Sequence, residues 1–142
     1  MRTFNSQNTG ETQAIGQNFA KNLKGGDVVL LYGDLGDGKT TFVQGLAKGL
    51  GIERRIISPT FILMRTHRIN TKGAKFFYHL DLYRMESEKN LEGLGLEEIL
   101  GNKENITVIE WAEKIGKKAS ASSIKVFFKN LGEDKRRLEI HG

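Results

Sequence analysis

Eight consecutive residues, Gly33-Asp34-Leu35-Gly36-Asp37-Gly38-Lys39-Thr40, fit the pattern G-x-x-x-x-G-K-[ST] at every fixed position. The residue types suit concentrated negative charge. Glycines at 33, 36 and 38 let the backbone curl so that successive N–H groups point inward as an anion nest. A helix beginning near Lys39 would add its positive N-terminal end. By the mechanics of the pattern, Lys39 reaches terminal phosphates and the Thr40 hydroxyl binds Mg²⁺. The pattern therefore predicts a polyphosphate laid along residues 33–41 (Gly36, Asp37, Gly38, Lys39, Thr40 and Thr41 in contact), that is, a nucleotide such as ATP.

The flanking elements suit that chemistry. Asp27-Val28-Val29-Leu30-Leu31-Tyr32 is an apolar, β-branched run of strand length. Residues 41–50 carry apolar side chains at helical spacing, with Gly51 placed to end the helix. Strand, glycine-rich turn and helix form the expected context for such a loop. Upstream, residues 11–24 predict an amphipathic helix with Ile15, Phe19 and Leu23 on one stripe, ended by Gly25-Gly26. Downstream, a short strand is expected near 55–57. Strands at 60–68 and 75–83 are expected to join across Asn70-Thr71-Lys72-Gly73. One or two short helices are expected in 87–100, a buried strand at 106–109, and a last hairpin of 124–129 and 136–140. The fold class that follows is α/β: a P-loop NTPase-like three-layer sandwich, its mixed sheet extended by antiparallel hairpins, with residues 1–142 as one domain.

A phosphate loop needs a partner that completes the metal shell and aims the nucleophile. Acids at the ends of apolar strands are the candidates. Asp81 follows Phe76-Phe77-Tyr78-His79-Leu80, and Glu110 follows Ile106-Thr107-Val108-Ile109. Either could hold Mg²⁺ or polarise an attacking water; Glu110 has the cleaner form. His79 alternates with Asp81 on one strand face and reads as its structural support. Trp111, the lone tryptophan, reads as core or as a neighbour of the loop. Ser58-Pro59-Thr60 reads as a switch, with the Thr60 hydroxyl turned toward the terminal phosphate or its metal.

Composition bounds the remaining classes. The chain has 142 residues, 38% hydrophobic and 27% charged, with no cysteine, so disulfides and thiolate zinc sites are excluded. No apolar run is long enough to cross a membrane, and residues 1–8 lack a signal core, which predicts a cytoplasmic protein without membrane attachment. The net charge of +5 suits a nucleic acid, an acidic protein surface or nucleotide handling; the positive residues are scattered, with small clusters at Lys117-Lys118 and Lys135-Arg136-Arg137. A regulatory GTPase is disfavoured. Asn102-Lys103-Glu104-Asn105 ends in Asn and precedes a strand, where guanine recognition needs Asn-Lys-x-Asp after one.

Gly-Asp-Leu-Gly-x-Gly-Lys-Thr-Thr-Phe at 33–42, Ser-Pro-Thr-Phe at 58–61, His-x-Asp-Leu-Tyr-Arg at 79–84 and Glu-Trp at 110–111, in this order, resemble the TsaE family. The likeness covers almost the whole chain. It implies a small ATPase needed for threonylcarbamoyladenosine formation beside the anticodon of tRNAs that read codons beginning with adenine. Such a protein works with a TsaB–TsaD pair, meets tRNA indirectly or transiently, and is a monomer when free. It further implies Thr40 and Glu110 as Mg²⁺ ligands, Lys39, Asp81 and Glu110 as the residues of hydrolysis, and Thr60 in the switch. By the same resemblance Thr12, or its neighbour Glu11, lies near the adenine, and Arg136 or Arg137 approaches the nucleotide. Asp37 stands where the family often has alanine. A small-molecule P-loop kinase is the alternative; it needs an acceptor pocket and a lid, and the segment after Arg84 leaves little room for both.

Overall fold

The computed structural model describes residues 1–34, 36, 38–53, 64–85, 95–115 and 123–142. The elements run β1 (Arg2–Ser6), α1 (Thr9–Ala20), β2 (Val28–Tyr32), α2 (Lys39–Gly49), β3 (Met64–Thr71), β4 (Ala74–Asp81), α3 (Leu96–Gly101), β5 (Asn105–Glu110), β6 (Ile124–Gly132) and β7 (Lys135–His141), with a short 3₁₀ turn at Ala112–Lys114. Seven strands form one sheet in the order β1-β7-β6-β2-β5-β4-β3. The inner four, β6, β2, β5 and β4, are parallel; β3 and β7 return antiparallel, and β1 adds antiparallel to β7.

Burial explains the division. Val28–Leu31 and all of β5 are buried, as continuous apolar runs are when both faces of a parallel sheet are covered. One face carries Val29, Leu31, Phe77, Val108 and Val126 against Phe19 of α1 and Phe42 and Leu46 of α2. The other carries Val28, Leu30, Leu80 and Ile109 against Leu96 of α3 and Ile115. Helices on both faces make the three-layer α/β arrangement. At the edge, β3 alternates exposed and half-buried residues, which suits a strand with one open side.

The amphipathic helix begins two residues earlier than its apolar stripe suggests and ends four earlier. Asn8 caps it, its Oδ1 accepting from Glu11 N at 2.9 Å while Glu11 Oε2 accepts from Gln7 N at 3.2 Å, a variant of the capping box. It stops at Ala20, and Leu23 is buried from the following turn instead. The strand at 2–6 has no counterpart in the sequence reading, because Arg2-Thr3-Phe4-Asn5-Ser6 holds a single apolar residue; pairing with β7 makes it a strand. The hairpin of β3 and β4 turns on Lys72 and Gly73 alone, both with positive φ (50° and 81°), the backbone of a tight two-residue turn. The strand expected near 55–57, residues 60–63 of the next one and most of the helical segment expected at 87–100 lie outside the described residues.

The two helices on the first face touch backbone to backbone. A Cβ on Gly45 would stand 2.0 Å from the Gln13 carbonyl oxygen, and one on Gly16 would stand 2.3 Å from that of Phe42. Small residues there set the depth at which α1 rides on α2. Gly45→Ala is expected to destabilise the protein by about 3 kcal/mol, near the upper end for overpacking, in urea denaturation. Gly101→Ala, where a Cβ meets nothing within 4 Å, is expected to be neutral or mildly stabilising.

Candidate phosphate and metal site

Three stretches meet at the C-terminal edge of the parallel strands: Gly33, Asp34, Gly36 and Gly38 after β2, Asp81 at the end of β4 and Glu110 at the end of β5. This edge is where open α/β sheets bind ligands. Register places the acids. Glu110 is level with Leu31 on β2 and with Asp81 on β4, so both carboxylates lie on the face that carries α2.

The loop has the backbone its glycines permit. Gly36 and Gly38 take φ of 80° and 94°, the left-handed region that a side chain would strain. Gly38 is the N-cap of α2 and supplies no capping side chain, which leaves first-turn N–H groups of the helix to an anion. Lys39 is 4% exposed. Its ammonium donates to the carbonyls of Gly33 (2.5 Å) and Asp34 (2.8 Å) and stands 4.3 Å from the centre of the Trp111 ring. The cation is thus held inside its own loop, close to where phosphate would sit. Thr41, half-buried, occupies the same first turn.

Thr40 Oγ donates to Glu110 Oε1 at 3.0 Å, joining the helix start to the end of β5. Glu110 is 2% exposed. Its other oxygen, Oε2, is 2.5 Å from His79 Nε2, and the His79 ring is fully buried. This corrects the sequence reading, which gave His79 to Asp81. Residues two apart on a strand share a face, but their side chains run parallel, and the acid across the sheet is the one within reach. Asp81 is half-buried, and its Oδ1 accepts from Tyr83 N at 3.0 Å, shaping the turn that leaves β4.

Trp111 proves to be a neighbour of the loop while it also packs, half-buried, against the hydrophobic cluster of Leu30, Leu80 and Ile109. Its φ of 58° costs about 1–2 kcal/mol for a side-chain-bearing residue. Contacts hold it there: Tyr83 at 5.0 Å between ring centres, Lys39 over the ring, and Lys114 at 5.9 Å. Lys114 also donates to the carbonyls of Tyr83 and Met85, tying the segment after β5 to the one after β4. Sequence reasoning passed over Lys114, since an isolated lysine in a polar turn carries no signal. Arg84 is exposed on that turn.

The far strands reach the loop too. Arg136 at the start of β7 donates from Nη2 to the Gly36 carbonyl (2.9 Å) and from Nη1 to Asn130 Oδ1, Glu133 O and Lys135 O; its Nε lies 3.4 Å from where a Gly38 Cβ would be. Arg137 turns away to Asn5, so of the two arginines Arg136 is the one at the loop. Thr12 is buried, with its hydroxyl 2.7 Å from Ser6 Oγ, and Ser6 is the register partner of Arg136. Thr12 therefore sits one strand away from the loop with its hydroxyl engaged. Asp37, Thr60 and the Lys117-Lys118 pair lie outside the described residues. Tyr32, the last residue before the loop, stacks on Phe127 at 4.8 Å; burial, and then the charge of Glu113, push its phenol above the ordinary tyrosine value.

The donor set fits a small hard cation. Among the described residues no group of three or more His, Asp or Glu could chelate a metal. A hydroxyl and one carboxylate oxygen 3.0 Å apart at a helix start suit Mg²⁺, which takes few protein ligands and fills its shell with phosphate and water. Because Trp111 is the only tryptophan, Lys39→Ala is expected to change the intrinsic tryptophan emission of the ligand-free protein, by removing the ammonium from the indole face. Emission identical to that of the unsubstituted chain would place Lys39 elsewhere in solution.

Residues 6–138 match the family model described as "Threonylcarbamoyl adenosine biosynthesis protein TsaE". Curated proteins named "tRNA threonylcarbamoyladenosine biosynthesis protein TsaE" are similar along most of this chain. The one from Bacillus subtilis is 40% identical over 137 residues, covering 96% of this chain and 81% of that protein. The one from Rickettsia prowazekii is 42% identical over 143 residues, covering 99% and 94%. The crystal structure of Bacillus subtilis YdiB superposes with a TM-score of 0.78 at 34% identity, covering 96% of this chain and 82% of that one. The strand–loop–helix, the two strand-end acids and the matches along nearly the full sequence agree, and the chain belongs to the TsaE family.

Proposed function

We propose that this protein, one domain and a monomer when free, binds ATP with Mg²⁺ and hydrolyses it in support of threonylcarbamoyladenosine formation in tRNA, in the cytoplasm, acting with a TsaB–TsaD pair. The observation that carries the reading is the 3.0 Å contact between Thr40 and Glu110, directly beside the stowed Lys39. It unites a hydroxyl, a carboxylate and a cation at the start of α2, the three groups that a nucleotide–metal pair requires. The family membership supports the rest.

In this mechanism the N–H groups of the loop and of the first turn of α2 hold the phosphates, with Gly36, Asp37, Gly38 and Thr41 along them. Lys39 leaves the carbonyls of Gly33 and Asp34 and neutralises charge that grows toward the transition state. Thr40 and Glu110 hold Mg²⁺, which when bound withdraws charge from the phosphate oxygens. Asp81, level with Glu110 on the neighbouring strand, orients the attacking water. Arg136 fixes the loop from the side, Thr60 closes on the terminal phosphate, and Thr12 lies toward the base. Turnover in isolation is slow, because the transition-state charge awaits an arginine from a partner, or from Arg84.

Phosphate release measured with and without TsaB–TsaD tests this. Stimulation by the pair supports it; transfer of the phosphate to a metabolite would establish the kinase reading, and binding without turnover under both conditions would leave a nucleotide-holding subunit. Lys39→Ala is expected to lower turnover about 100-fold or more. Glu110→Ala is expected to lower turnover far more than nucleotide affinity, as seen by calorimetry beside a phosphate-release assay; wild-type kinetics would reduce Glu110 to a structural acid.

A further inference from the structure

We infer that His79 is a positioning residue for the metal: it occupies one oxygen of Glu110, so that the carboxylate meets Mg²⁺ through the other oxygen only, on the side of Thr40. This rests on the metal reading above and adds a residue to it.

A carboxylate has two oxygens, each able to accept. In Glu110 the two are divided: Oε1 faces Thr40 at 3.0 Å and Oε2 faces His79 at 2.5 Å. With an acid as its partner, Nε2 is the nitrogen that donates. Such a contact blocks rotation of the carboxylate about its last bond and removes Oε2 as a second metal ligand. Oε1 is the oxygen beside the helix start, where the Thr40 hydroxyl supplies the second oxygen.

Among the described residues the imidazole makes one hydrogen bond, the one to Glu110. Its ring is fully buried, 6.5 Å from that of Phe77. Among the described residues its buried Nδ1 has no hydrogen-bond partner. A buried polar atom left unsatisfied carries a free-energy cost. The Nε2 contact with Glu110 offsets it. Residues that hold a metal's carboxylate in this way are worth about 10–100-fold in metal affinity.

The test compares His79→Leu with His79→Gln, whose amide can donate from nearly the same place. Binding of ADP and of a non-hydrolysable ATP analogue is measured by calorimetry, first in EDTA and then across a Mg²⁺ titration. The expected result is unchanged affinity in EDTA for both variants. The Mg²⁺ concentration for half-maximal enhancement should rise about 10–100-fold in His79→Leu and be largely restored in His79→Gln. A folded His79→Leu protein with the wild-type Mg²⁺ response overturns the inference. Because a leucine beside a buried carboxylate can prevent folding, the unsubstituted protein provides a second readout. Nitrogen-15 NMR of the imidazoles should show a ring N–H of His79 protected from exchange and shifting as Mg²⁺ is added to the analogue complex. A ring N–H that exchanges freely, or that ignores Mg²⁺ while nucleotide binding responds to it, overturns the proposal. If wild-type nucleotide affinity does not respond to Mg²⁺ at all, the metal reading falls, and this inference with it.

Discussion

A carboxylate kept almost entirely from water is the constraint around which this fold is organised. Glu110 ends a fully buried strand, and its burial is tolerable only because two side chains from two other elements reach its two oxygens. An unpartnered ion in that position would cost several kcal/mol. Thr40 must therefore stand at the start of α2 and His79 must face α2 from β4. Those requirements fix the height of α2 over the sheet and the register of β4 against β5.

The same contacts hold the loop in readiness. Lys39 is buried on the carbonyls of Gly33 and Asp34 and against the indole of Trp111. Its position is set by the loop and by a residue in a strained conformation, which in turn rests on Tyr83 and Lys114. On the other flank Arg136 grips the Gly36 carbonyl, and β1 and Thr12 stand behind Arg136. Strands from both ends of the chain thus brace one glycine-rich turn. The glycine seam of α1 and α2 belongs to the same arrangement, since it sets how closely α1, which carries Thr12, lies on α2.

Much of the fold was legible because its central strands are unbroken apolar runs and its helices repeat at helical spacing. β2, β5 and α2 follow from Val28–Tyr32, Asn105–Glu110 and the residues after Lys39. β1 was illegible, since nearly all its residues are polar and only the neighbouring β7 makes it a strand. In the site, the glycines, Lys39, Thr40, Asp81 and Glu110 were readable from type and position. Lys114 was not, because its role is to bond carbonyls about 30 residues away in sequence. The cluster Lys135-Arg136-Arg137 looked like one basic patch; the structure sends Arg136 to the loop and Arg137 to Asn5, because successive residues of a strand point to opposite faces.

Sequence alone determined the motif: the glycine-rich loop is a local pattern, and its glycines, lysine and threonine lie within a few residues of one another. The ordered blocks, spread over most of the chain, carried the family. Only the tertiary structure decided which groups share a carboxylate, which arginine meets the loop, and how the tryptophan sits between the core and the site. Those are distances between residues far apart in the chain, set by strand register and helix packing, which no local pattern contains.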